Sequence, residues 1–487
     1  MLPTFKDLLK FFSKNHGSKN HRRKTEGTSI PDTLECRTLL SIQTFLFDGS
    51  KLIIQLDNSS TNVSVSQTRR TVVVSDVGAG SSWSYAKSRV GSLEFQGGNG
   101  NDRFTNNTPI ASRAFGGYGN DTLQGGGSSD YLEGGYGNDI LLGMAGNDQL
   151  YGQDGDDRLN GREGNDLLSG GIGNDVLISI DGATGDTIQP GEGIDTVWID
   201  TISSTNDAVS NSSDGDKIQS VSGFANGADR SLNGDRINDP SVNSGQTYKT
   251  FAGRALFAAA GPAATDIRQG YLGDCYYLAG LSAIAKDSPQ TLRDYIVDFD
   301  DGTYGVRLGN SFYRVDNDLP VHSSSSSNPA YAGFGAEGSM WVAIAEKAFA
   351  HYRTGGNSYG SIEGGWGVEA NLAFGATSTG NQSFLNYGSA AALADQIYNQ
   401  WSNNNAITIG FLSVRTSAGS TAPLIMSHMY TVMSVVRDGA GTVTSLVLRN
   451  PWGVDGTGND GNYNDGLVTV TPDQIYGIWG RINWGRV

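Results

Sequence analysis

Apolar and polar positions alternate in short bursts from residue 41 to 90. Leu52-Ile53-Ile54-Gln55-Leu56, Val63-Ser64-Val65 and Thr71-Val72-Val73-Val74 read as strands punctuated by Ser, Asn, Asp and Gly. The pattern then becomes strictly periodic. GGYGNDTLQ, starting at Gly116, is followed without a gap by GGGSSDYLE, GGYGNDILL, GMAGNDQLY, GQDGDDRLN, GREGNDLLS and GGIGNDVLI, ending at Ile178. The sixth position is always aspartate: Asp121, Asp130, Asp139, Asp148, Asp157, Asp166 and Asp175. The eighth is always leucine, from Leu123 to Leu177. An isolated copy, GGNGNDRFT, starts at Gly97 and puts Asp102 in the same position; looser copies follow near Asp186 and Asp195. Six glycine-rich residues predict a turn and the last three a short strand, repeated as a parallel β-roll. After about residue 235 the period changes again. Leu278, Leu281, Ile284 and Ala285 fall at helical spacing, with Asp274 as N-cap and Ser288-Pro289 as the stop. The runs 428–435 and 442–449 alternate and predict two strands.

Composition narrows what such a chain can do. Its 487 residues allow about three domains. It holds 68 glycines, about twice the usual share of about 7%. No apolar run approaches the ~20 residues that span a bilayer. The balance of 34 Lys+Arg against 50 Asp+Glu, net −16, argues against nucleic acid as a partner, because phosphate binding needs a basic face. Two cysteines, Cys36 and Cys275, exclude a disulfide scaffold and a four-cysteine zinc site.

The repeat block carries eleven acids against two arginines. One inward leucine per repeat gives a thin core, set against about 1–2 kcal/mol of backbone entropy per ordered residue. A hard divalent cation solves both problems, since Ca²⁺ takes 6–8 oxygens and finds them here as carboxylates and turn carbonyls. An acidic low-complexity linker would not keep two positions invariant through seven copies. The block resembles the RTX family, whose motif is GGxGxDxUx. That resemblance implies that turns two repeats apart stack on one side and share an ion. Asp121, Asp139, Asp157 and Asp175 would form one stack, and Asp130, Asp148 and Asp166 the other. Ser128-Ser129 replace Gly-Asn before Asp130, which weakens the expectation of an ion there. Calcium then serves folding rather than catalysis.

In the last segment Cys275 falls in the first turn of an apolar helix, where the macrodipole favours the thiolate. A cysteine at a helix start is more often inert than reactive, so its partners decide. Of five histidines, His16 and His21 lie in a basic arm and His322 on a loop. His351 is expected at the surface. His428 opens a strand-like run, and the next such run ends at Asn450-Pro451-Trp452-Gly453. QGYLGDCYYLAGLSAIA, the histidine-bearing strand, LRNPWG and the helix SMWVAIAEKAFAHY resemble the active-site segments and a core helix of calpain-type cysteine proteases. The resemblance covers roughly residues 240–487. It implies a papain-like α+β domain with Cys275 as nucleophile, His428 as general base and acid, and Asn450 holding the imidazole tautomer. It also implies Gln269 as oxyanion donor beside the Cys275 N–H, and Trp452 as a shield for the Asn–His bond. The chain departs from the family at Ser427, usually glycine, and at Tyr276, usually tryptophan.

Residues 1–41 are basic, and their short apolar pairs are split by Lys10, unlike a standard signal peptide. Leu34-Glu35-Cys36-Arg37-Thr38-Leu39-Leu40 resembles the LEPR-XLL motif of exported bacterial proteins. The sequence thus predicts five segments: the basic arm (1–41), short strands leading into the roll (42–96), an RTX-like roll (97–178), degenerate repeats and linker (179–235), and a calpain-like domain (236–487). The function expected is a calcium-dependent cysteine endopeptidase acting on proteins or peptides, extracellular or associated with the cell surface. The alternative is a non-catalytic calcium-dependent adhesion protein, and a cysteine acyltransferase on the same residues is a third reading.

Overall fold

The computed structural model describes residues 42–47, 50–183, 185–202, 205–228, 237–455 and 465–487. The basic arm, the LEPR-XLL-like motif and Cys36 lie outside the described residues.

The repeats wind into a roll of two sheets, one of nine strands and one of eleven. Within each sheet the strands are parallel through the repeat block, and each strand pairs with the one two repeats on. Leu132 aligns with Leu150 and Leu150 with Leu168 in one sheet. Leu123, Leu141, Leu159 and Leu177 align in the other. All seven leucines are fully buried between the sheets. Most of these strands run six residues, not the three predicted, because they continue into the first three residues of the next repeat; each turns two positions inward, its leucine and the first glycine that follows, as Leu132 and Gly134 do.

The roll begins and ends outside the repeats. Lys51–Leu56 pairs in parallel with Ser92–Asn99, and Asn62–Gln67 with Arg103–Asn106. The first coil is backed by antiparallel strands, Thr71–Asp76 and Ser81–Ala86. Beyond the block, Thr187–Glu192, Thr196–Ile202 and Lys217–Val221 add further parallel strands. The stretch expected to decay into a linker therefore carries three strands of the coil as far as Val221. Trp198 closes that end, buried with Val221 and Phe224 against Val297 and Phe299 of the following domain.

That domain has two lobes. In the first, the cysteine helix Cys275–Asp287 packs on the core helix Trp341–Tyr352, where Tyr277 and Phe349 stack face to face. A three-stranded antiparallel sheet, Ile296–Asp298, Thr303–Leu308 and Ser311–Asp316, covers this lobe. The second lobe is a six-stranded antiparallel sheet packed on the helix Ala390–Ser402. Thr431 Oγ1 on its histidine strand, His428–Arg437, donates to the Ala279 carbonyl of the cysteine helix at 2.7 Å, a buried tie between the lobes. Among the described residues no helix is long and apolar enough to cross a membrane.

Candidate functional site

The cysteine helix starts where the sequence predicts. Asp274 is its N-cap residue, and the Asp274 carbonyl accepts from the N–H groups of Tyr277 and Leu278. The Asp274 side chain caps nothing. It is fully buried, accepts from Gln269 Nε2 at 3.2 Å, and faces the carboxyl of Glu346 on the core helix. The two buried acids share a low-polarity pocket. Burial first, and then the Asp274 charge, push Glu346 well above the carboxylate range, while burial lifts Asp274 to about 6. Two acids facing each other in so dry a pocket do not both ionise, so the pair retains a proton between them. The Glu346 oxygens also accept from the Ala332 N–H. Glu346 was not singled out in the sequence, although an acid inside the apolar run Trp341–Phe349 is the signal that could have found it.

Cys275 is half-buried at the helix start, with its sulfur within hydrogen-bonding reach of the Met429 N–H, the residue after His428. Burial pushes the thiol up to about 11; the Met429 N–H opposes this and the Asp274 charge adds to it. Burial likewise pushes His428 below its usual value, opposed by its bond to Asn450. Each group alone is thus neutral. A thiolate here needs an imidazolium beside it, and each stabilises the other.

His428 and Asn450 meet because their strands are antiparallel neighbours, with Thr431 opposite Arg449. The His428 Nε2 to Asn450 Oδ1 distance is 2.8 Å, and both residues are buried. The Trp452 N–H donates to the same Oδ1 at 3.0 Å, which fixes which way the amide points. An oxygen that only accepts requires the proton on Nε2, so Nδ1 is the basic atom of the ring. The Trp452 ring lies 4.8 Å from the imidazole, centroid to centroid, and covers it from solvent. Ser427 reaches this arrangement with φ +55°, a left-handed conformation that glycine adopts freely. The departure from the family at Ser427 is thus a backbone matter.

Gln269 is tied to both halves of the site. Its backbone N–H donates to the Pro451 carbonyl at 2.8 Å. Its side-chain amide donates to the Leu272 carbonyl at 2.6 Å and to Asp274, inside its own loop. Arg449, next to Asn450, donates to the carbonyls of Ala264, Thr265 and Ile267, so the loop before Gln269 is laced to the asparagine strand.

Two histidines differ in outcome. His322 is exposed on its loop, edge-on to Tyr271. His351 is buried against Tyr313, not at the surface, and burial pushes it down to about 4. The helix ends one residue later, but its last turn is still covered by the three-stranded sheet.

In the roll the aspartates form two ladders. Each backbone N–H donates to the Oδ1 of the aspartate one coil on: Asp102 to Asp121, Asp121 to Asp139, Asp139 to Asp157 and Asp157 to Asp175, at 2.7–2.8 Å. The opposite ladder runs Asp130 to Asp148 to Asp166. The second oxygen, Oδ2, of Asp102, Asp121, Asp139, Asp148, Asp157, Asp166 and Asp175 is buried with no hydrogen-bond partner. Asp130 differs, since its Oδ2 accepts from Gly126. Burial pushes Asp157 and Asp166 up to about 8. A row of buried carboxylate oxygens without donors or basic side chains suits a hard cation with oxygen ligands. The first glycine of each turn leaves that space open: a Cβ on Gly134 would overlap Asp139 Oδ2. Elsewhere, Asp239, Asp316 and Asp318 also converge, but there the cation is the Lys347 ammonium, 2.5 Å from Asp239 and 2.6 Å from Asp316.

Residues 246–468 match the profile of the calpain family of cysteine proteases, and residues 115–150 and 142–177 match that of the RTX calcium-binding nonapeptide repeat. Calpain-type cysteine protease DEK1 of Zea mays is 27% identical over 200 residues, 39% of this chain and 9% of that protein. Calpain-type cysteine protease ADL1 of Oryza sativa subsp. japonica is 26% identical over 200 residues, with the same shares. The chain thus matches 9% of the length of either relative. It carries a calpain-family cysteine protease domain and calcium-binding RTX repeats.

Proposed function

We propose that the protein is a calcium-dependent cysteine endopeptidase that hydrolyses peptide bonds through Cys275, His428 and Asn450. The bond from His428 to Asn450, on a strand whose next residue reaches the Cys275 sulfur, is the observation that carries this reading. The Cys275 thiol gives its proton to His428, and the thiolate attacks the substrate carbonyl carbon. The oxyanion is received by the Cys275 N–H and by the Gln269 amide, which swings one hydrogen away from Leu272 or Asp274. The imidazolium then protonates the leaving amine. Water, deprotonated by His428, hydrolyses the thioester and restores the thiol. Asn450 and Trp452 keep the ring oriented throughout. Calcium in the roll acts on folding, and calcium is plentiful outside the cell, so the protein works there, free or on the cell surface.

The test is cleavage of casein by the full chain, in calcium and in EGTA, beside Cys275→Ala. Cleavage by the parent alone supports the protease. Silence from both, with calcium still taken up, favours a calcium-dependent adhesion protein. Incorporation of an added amine in place of hydrolysis would point to an acyltransferase. Recovery of the protein from the culture medium or the cell surface checks its location.

A further inference from the structure

The ladder does not stop where the nonapeptides stop. The Asp175 N–H donates to Asp195 Oδ1 at 2.8 Å, the same bond that joins the rungs within the block. Asp195 is fully buried, and its Oδ2 has no partner. Donor oxygens converge here as they do inside the repeats. A Cβ on Gly152 would run into both Asp157 Oδ2 and the Gly170 carbonyl; one on Gly170 would run into both Asp175 Oδ2 and the Pro190 carbonyl. Pro190 stands where the repeats have their first glycine and still offers its carbonyl. One coil further on the ladder closes. Asp216 accepts from the Asp195 N–H at 3.0 Å with one oxygen and from the Ser213 N–H at 2.6 Å with the other. Asp195 is thus the last rung with an oxygen to spare.

This rung adjoins the protease domain. Thr196, the next residue, donates from Oγ1 to Asp294 Oδ1 at 2.9 Å, a buried bond. Asp294 lies on the helix Pro289–Tyr295, which directly follows the cysteine helix. Gln219, on the neighbouring strand of the roll, donates to the Asp294 carbonyl at 3.0 Å and accepts from Arg307 at 2.9 Å. The strands fed by this ladder are the ones that meet the protease domain. Asp130, Asp148 and Asp166 feed the other sheet.

We propose that Asp175, the Pro190 carbonyl and Asp195 hold a calcium ion beyond the recognised repeats, and that this ion fastens the roll to the protease domain through Thr196 and Asp294. The oxygen-only donor set selects a hard divalent cation. Binding that orders the turn 190–195 fixes Thr196 and so protects the helix Pro289–Tyr295.

The experiment uses the full chain. Bound ⁴⁵Ca²⁺ is counted by equilibrium dialysis, and hydrogen–deuterium exchange is followed over residues 289–298. Asp195→Asn should bind one ion fewer than the parent, and in calcium its exchange over 289–298 should rise to that of the parent in EGTA. Asp148→Asn, on the opposite ladder, should lose calcium and leave 289–298 protected. An unchanged ion count in Asp195→Asn overturns the site, and a lost ion with unchanged exchange overturns the coupling. If Asp195→Asn does not fold in calcium, Thr196→Val decides, because it keeps every oxygen ligand. It should bind as many ions as the parent and lose the calcium-dependent protection of 289–298; retained protection overturns the proposal.

Discussion

The backbone N–H of Gln269 donates to the carbonyl of Pro451 at 2.8 Å, and so the loop that leads to Cys275 is fixed to the loop that follows Asn450. The three groups of the proposed triad come from two lobes, and this bond, with the carbonyl contacts of Arg449, holds their spacing. A site assembled this way should respond to changes at its joints as well as at its reacting atoms.

Asn450→Ala removes the acceptor that keeps the His428 proton on Nε2 and leaves the Trp452 N–H without its partner. The expected outcome is a fall in kcat of about 10²- to 10⁴-fold with KM little changed, because the wrong tautomer and ring angle impair reaction rather than binding. Steady-state kinetics on a fluorogenic peptide measures it. An effect confined to KM would remove Asn450 from the triad.

Ser427 is held at φ +55° directly before His428. A left-handed conformation is unfavourable for a residue with a Cβ by about 1 kcal/mol, whereas glycine adopts it freely. Ser427→Gly should therefore stabilise the protease domain by about 0.5–1 kcal/mol, less what glycine gains in unfolded entropy. Urea unfolding in calcium reads the difference, and a clear loss of stability would contradict the strain argument.

Glu346→Ala should destabilise the domain by about 3 kcal/mol, because it leaves the Ala332 N–H buried without a partner and Asp274 with Gln269 alone. Glu346→Gln keeps a donor toward Asp274 and should stay within about 1 kcal/mol of the parent. Equal losses in the two variants would show that size, not hydrogen bonding, is what matters at this position.

The pH dependence of the roll should reverse with calcium. Without it, burial pushes Asp139, Asp148 and Asp175 up to about 7 and Asp157 and Asp166 to about 8. In the unfolded chain these groups titrate near about 3.9. The folded apo roll holds the extra protons, so its stability is fully present below about pH 4 and is lost as pH rises toward about 8. Calcium needs the ionised carboxylates, so its affinity should rise with pH, about tenfold per unit for each proton displaced per ion. Denaturant titrations at pH 5 and pH 8, in EGTA and in calcium, give both trends; an apo roll more stable at pH 8 would contradict this burial.

Much of this was legible in the chain because its signals are local. The nonapeptide fixes turn, strand and inward leucine within nine residues, and Leu123 to Leu177 are buried as that pattern requires. Asp274 and Ser288-Pro289 bound the cysteine helix through backbone rules that act over one turn. What escaped depends on contacts between distant segments. His351 stands at a helix end, where exposure is the ordinary outcome, and a sheet from residues 296–316 covers it. Glu346 reads as one acid in an apolar helix until the fold sets Asp274 against it. The strands after residue 179 keep the coil although the spacing of their aspartates stretches, since pairing with the preceding strand supplies the register that the sequence no longer spells out.

The coil advances by 18 residues, as the bond from Asp121 to Asp139 shows, whereas the written repeat is nine. The roll is thus a ruler graduated in pairs. Removing 18 residues from its middle, such as 125–142, should shorten it by one division and leave Arg158, Asn160 and Arg162 still clasping the loop 298–300 of the protease domain. Removing only nine would exchange the two faces upstream of the cut, setting the antiparallel strands of the first coil against the wrong sheet. Length changes in this protein should be tolerated in even numbers of repeats and refused in odd ones.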